Sequence, residues 1–137
     1  MHAASREAYA RLNETLEQGL RESADTVGTG ATTGTELFDV VDVLDGERSL
    51  RVALVDAASS PQQRTDIVKA LLSGKVSAST EEIVSAAVSQ TWSSSRDLRS
   101  GLEQLGRVAL LRSAEAQGQL DRCLLYTSDA ADDSLRV

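Results

Sequence analysis

Few side chains in this sequence have the type and spacing that bond-making chemistry needs. The only histidine, His2, stands at a chain terminus, where fraying gives it no fixed partner. Neither a histidine base nor a histidine metal centre is therefore supported. Serines are plentiful, yet none sits in a Gly-x-Ser-x-Gly elbow or has a base to activate it. The run Gly28-Thr29-Gly30-Ala31-Thr32-Thr33-Gly34 has the glycines to cradle a phosphate, but lacks a Gly-Lys-Ser/Thr ending and a preceding strand. It reads as a flexible linker. Ser73-Gly74-Lys75 reads as a helix C-terminus, glycine allowing a left-handed residue and lysine favouring the dipole. Asp39, Asp42 and Asp45 could offer carboxylates to a metal, but at spacings of three, opposite apolar residues, they form a solvated helix face. Arg96, Arg99 and Arg107 could meet phosphate. Glu103 lies four residues from both Arg99 and Arg107, which makes surface pairing the economical account. This inventory predicts no enzyme, no metal and no cofactor.

The elements that must position these residues are helical. With one proline, Pro61, and 3% aromatic residues, the core has to be aliphatic and the chain all-helical. The 137 residues suffice for one domain with a real core. A net charge of −7 argues against a protein built to coat nucleic acid. Apolar runs such as Val108 to Leu111 are far too short to cross a bilayer, and Met1 to Glu7 lacks the apolar segment of a secretory signal. With a lone cysteine, Cys123, the expectation is a soluble cytoplasmic protein without disulfides.

Periodicity and caps place six helices. The first starts after Ser5 as N-cap and carries Tyr9, Leu12, Leu16 and Leu20 on one face. A Gly/Thr linker follows from Asp25 to Thr35, and a second helix, begun at Gly34 or Thr35, stops at Gly46. Ser49 caps a short third helix reaching Ala57. Ser60, Pro61 and Gln63 form a capping box for the fourth, which buries Ile67, Val68, Leu71 and Leu72 and ends at Gly74. A second capping box, Ser79 to Glu82, opens a fifth helix with Ile83, Val84, Ala87, Val88 and Trp92. Ser94 or Ser95 caps the sixth, whose stripe of Leu98, Leu102, Leu105, Ala109 and Arg112 continues without a stop to Arg122, roughly 40 Å at 1.5 Å per residue. The expected fold is all-α, a compact six-helix bundle with a long last helix.

The sequence changes character at Cys123. The eleven residues Cys123 to Asp133 (Cys-Leu-Leu-Tyr-Thr-Ser-Asp-Ala-Ala-Asp-Asp) resemble one reading frame of a common transposase sequencing adapter. The expected division is a helical domain over 1–122 and a translated adapter tail over 123–137, with Cys123 and Tyr126 carrying no function. The tail holds three aspartates and one arginine, so the body from Met1 to Arg122 keeps a charge of −5.

The order of these elements resembles a known family. Glu36 to Asp56, with its Leu50-Arg51-Val-Ala-Leu54-Val-Asp56 element, is similar to the second and third helices of the F-type ATP synthase delta-subunit family, which includes the mitochondrial oligomycin-sensitivity-conferring protein. Pro61 to Val76 resembles its fourth helix, Trp92 to Leu98 the turn into the long last helix of actinobacterial members, and Gly106 to Arg122 that helix. The resemblance implies a non-catalytic connector between catalytic head and peripheral stalk, on the cytoplasmic face of the plasma membrane. Its partner would be the N-terminal helix of an alpha subunit, received between the first and fifth helices. By position, Tyr9, Leu12, Leu16, Ile83, Val84 and Ala87 would line that groove, although the same apolar positions are also needed for the core. Contact with the membrane-anchored b subunit would lie in a C-terminal region missing here, with no membrane insertion of its own. The competing readings are a small helical adaptor or transcriptional regulator, disfavoured by the acidic charge, and a helical enzyme fragment, disfavoured by the absent nucleophile–base set.

Overall fold

A computed structural model describes residues 3–56 and 58–128, with side chains as far as residue 118. It contains α1 (Ala3–Glu22), α2 (Thr26–Gly46), α3 (Arg48–Leu54), α4 (Pro61–Leu72), α5 (Ala78–Ser89) and α6 (Ser95–Ser128). No strand occurs among the described residues. His2, Ala57 and residues 129–137 fall outside the description, as do the side chains of Cys123 and Tyr126. The long last helix spans 34 residues, about 51 Å at 1.5 Å per residue.

Four heptad-like rows make the core: Leu12, Leu16 and Leu20 on α1, Leu37, Val41 and Leu44 on α2, Ile83, Ala87 and Val88 on α5, and Leu98, Leu102, Leu105 and Ala109 on α6. All are buried, and each large aliphatic side chain contributes about 1.5–3 kcal/mol on leaving water. The most extensive helix pair is α2 against α6, followed by α4 against α5, with α1 lying on both α5 and α6.

The Gly/Thr stretch is not a linker. It forms the first half of α2, capped by Asp25, whose Oδ1 accepts the Gly28 amide at 2.9 Å. The glycines serve packing. A Cβ at Gly30 would sit 2.9 Å from the carbonyl oxygen of Ala109, and one at Gly34 would sit 2.9 Å from that of Gly106. The two helix backbones can meet only because neither residue has a side chain. Ser113 Oγ then donates to the Val27 carbonyl at 2.6 Å across the same contact.

Other helix boundaries also shift. Ser5 lies inside α1, is fully buried, and accepts the Ser93 amide at 2.8 Å, so it ties α1 to the α5–α6 turn rather than capping a helix. The N-cap of α3 is Glu47, without a side-chain cap bond, in place of Ser49. Helix α5 begins two residues earlier than the Ser79–Glu82 box suggests, with Ser77 as N-cap. The reason lies on α2: the Glu36 carboxylate accepts the Ser77 amide at 3.0 Å, its hydroxyl at 2.7 Å and the Thr80 hydroxyl at 2.6 Å. The Ser60 capping box forms as expected, with reciprocal bonds of 3.1 and 2.8 Å to Gln63. Gly74, at φ 78°, makes the left-handed turn after α4 that only glycine adopts without strain. Only Val68 and Arg64 are buried on α4, while Ile67, Leu71 and Leu72 stay partly exposed.

Candidate partner-binding groove

Helices α1 and α5 run antiparallel: Ser5 reaches the turn after α5, while Leu16 and Leu20 lie near Ser79 and Ile83 at its start. Between them is a small hollow of about 40 Å³, lined by Thr15, Leu16, Gly19, Thr33, Ser79, Glu82 and Ile83 among others. That volume is close to one water's share of the liquid, so a partner must lie across the hollow and drop at most one small group into it. The rim is suited to a close approach. Gly19 is exposed, and a Cβ there would meet nothing within 4 Å. Ala86, three residues beyond Ile83, continues the same row on α5 with another small side chain. At the floor, Thr33 Oγ1 is buried and has no hydrogen-bond partner among the described residues, a cost of about 1–3 kcal/mol that a donor or acceptor from outside would relieve.

The six residues expected to line a groove divide into four groups. Leu16 and Ile83 line the hollow, and both are nearly inaccessible at 2% and 4% exposure. Leu12 and Ala87 are core residues. Val84 lies on the other side of α5, where it lines a separate apolar hollow with Val40, Val68, Leu72 and Val76. Tyr9, half-buried, leans toward Gly101 and Trp92 at the start of α6. Burial, reinforced by the Glu17 carboxylate, raises the Tyr9 phenol above its ordinary pKa. On the accessible rim, the small Ala86 beside Ala87 was legible in the sequence, whereas Gly19 and Thr15 carry no apolar signal. Only the register of two packed helices brings them together.

Trp92 is not on α5. It lies in the α5–α6 turn, buried, with Nε1 donating to the Ala87 carbonyl at 2.7 Å. Arg99 forks onto Asp45 of α2 at 2.9 and 3.0 Å and also reaches Glu103 at 3.1 Å. Arg107 pairs with Glu103 at 3.5 Å, as the spacing predicted. Arg112 binds both oxygens of Glu17 on α1 at 3.0 Å. Hydrogen bonding to Arg112 holds the Glu17 carboxyl below its usual range, and Arg99 does the same for Asp45. Among the described residues no cluster of three or more His, Cys, Asp or Glu could hold a metal, and no helix is long and apolar enough to cross a membrane.

No family model matches the chain. Individual relatives do. Over 122 residues it is 77% identical to the ATP synthase subunit delta of Corynebacterium urealyticum, covering 89% of this chain and 45% of the relative. Across the matched stretch the chain is similar to an actinobacterial ATP synthase delta subunit. The corresponding protein of Corynebacterium jeikeium is 67% identical over 122 residues, with the same coverage, and that of Corynebacterium glutamicum is 52% identical over 120 residues, 88% of this chain and 44% of the relative. The chain thus spans a little under half the length of these delta subunits.

Proposed function

We propose that this domain is a non-catalytic connector of a proton-translocating ATP synthase, receiving the N-terminal helix of an alpha subunit along the α1–α5 seam. The observation that carries the reading is the 77% identity to a delta subunit across six helices. The seam supplies what a helix-in-groove contact needs: a small-residue rim at Gly19 and Ala86 and an unpartnered hydroxyl at Thr33. Leu12, Leu16, Ile83 and Ala87 act as the floor that fixes the rim, and Tyr9 and Val84 act from beside it. Its work is mechanical: the head is held against the torque of the rotor. A single such contact of micromolar strength is worth about −8 kcal/mol, and further contacts in the assembled enzyme would raise the effective affinity. In this reading the domain is peripheral, on the cytoplasmic face of the membrane. The b subunit meets the region of the family that this chain does not span, and the tail over 123–137 takes no part.

The test is calorimetric titration of the chain with a synthetic alpha-subunit N-terminal peptide. Saturable one-to-one binding, weakened about tenfold or more by Gly19→Arg, is expected, since one lost contact of about 1.4 kcal/mol gives that factor. The open space at Gly19 leaves the fold intact in that variant. No binding by a folded chain, or equal binding by the variant, would remove the reading.

A further inference from the structure

Four arginines of this acidic chain converge at the opposite side of the bundle from the seam's hollow. Arg48 and Arg51 on α3 and Arg96 and Arg99 on α6 line a cleft of about 910 Å³, in which Asp45 is the only carboxylate among the described residues. Two of the four are already engaged. Arg51 Nη1 donates to the carbonyls of Leu44 and Asp45 at the end of α2, and Arg99 is forked onto Asp45 and Glu103. Arg48 and Arg96 are exposed and have no acceptor among the described residues. In a chain with net charge −7, two uncompensated guanidinium groups facing one cleft are not balancing local acid.

The remaining lining narrows the ligand. Ser94, Ser95 and Ser100 supply hydroxyls, and among the described residues no apolar or aromatic side chain lines the cleft. A partner helix would find no anchor there and a nucleobase no stacking face. Guanidinium forks and hydroxyls suit tetrahedral oxyanions carrying more than one charge. The first turn of α6 points the same way: Ser94 takes the amides of Asp97 and Leu98, which leaves those of Ser95 and Arg96 without an intrahelical acceptor.

We propose that this cleft binds a multiply charged phosphate group, held chiefly by Arg48 and Arg96. Such a group can come from a free diphosphate or from an anionic lipid headgroup, and two probes separate these sources. Pyrophosphate is titrated calorimetrically into the full chain at low salt. Co-sedimentation is measured with phosphatidic acid vesicles, whose headgroup is a phosphomonoester, against phosphatidylcholine vesicles. Saturable one-to-one binding of pyrophosphate assigns the free ion, and sedimentation with phosphatidic acid alone assigns the headgroup. In either case Arg48→Gln with Arg96→Gln is expected to weaken binding about tenfold or more, and added salt to weaken it further. Both side chains are exposed, so circular dichroism of this variant should match the parent. Arg6→Gln with Arg21→Gln removes the same charge from α1 and should leave binding unchanged. An equal loss in both double variants, or no binding of either probe, would overturn the proposal.

Discussion

Two polar residues hold this bundle together more specifically than its leucines do. Glu36 is the first. Burial opposes its charge, but the bonds from Thr80 and Ser77 outweigh that cost and hold its carboxyl below the usual range. Removing the carboxylate leaves the Ser77 amide and two hydroxyls without their acceptor, so Glu36→Ala should lose about 2 kcal/mol in urea denaturation. The pH dependence has a fixed sign. Glu17, Glu36 and Asp45 all have carboxyls depressed on folding, so their contribution is complete above the unfolded carboxylate range, about pH 4–4.5. It is lost as pH falls through the folded values, and acid titration of the melting temperature should show that loss weakened in Glu36→Gln. Arg64 is the second. At 7% exposure, its Nε donates to the Val88 carbonyl at 2.7 Å, and Nη1 donates to Asp56 at 2.9 Å and to Ser59. A planar fork serves carbonyls in separate directions, which an ammonium group does not match. Arg64→Lys should therefore recover little of the roughly 3 kcal/mol lost in Arg64→Ala, as read by chemical denaturation.

At the scale of elements, the glycines divide by what faces them. A Cβ at Gly34 would come within 2.6 Å of Leu110 Cγ and 2.9 Å of a backbone oxygen. Gly34→Ala should destabilise by about 1–3 kcal/mol through overpacking, although alanine is the better helix former. Gly19→Ala, with open space, should stabilise by about 0.5–1 kcal/mol. Thermal melts of the two variants should move in opposite directions. The same contrast explains what the sequence could convey. The all-α class, six helices and the capping box at Ser60 were legible because each rests on local pattern. The first half of α2 was not, since glycine's cost in an isolated helix is local while its benefit against Gly106 and Ala109 depends on α6, many residues away. The start of α5 was hidden for a similar reason: Ser77 and Ser79 look alike until Glu36 arrives from α2. That α1 and α5 would flank a groove came from the family resemblance, and apolar spacing placed Leu16 and Ile83 only on the packed faces of those helices. The positions of Gly19 and Thr15 on the rim and the division of Val84 and Tyr9 to other neighbours required the register.

For the molecule as a whole, α2 and α6 form its central pair, and their contact joins the early part of the chain to its last helix. Because the core rows of α1, α2, α5 and α6 are contiguous, unfolding should be a single cooperative transition. Trp92, the only tryptophan, is buried beside Gly101, so its fluorescence should shift at the same denaturant concentration as the helical signal. The glycine-lined contact has a further meaning for how the chain is made. A ribosome delivers α2 well before α6. Until residues near Ser113 have left the exit tunnel, the Gly/Thr segment has neither the intrinsic preference nor the opposing surface to become helical. Leu37, Val41 and Leu44 of the same helix then wait uncovered. Closure of this domain therefore waits on α6: the segment from α1 to α5 keeps apolar rows uncovered until that helix emerges, which makes it a substrate for holding chaperones in the meantime.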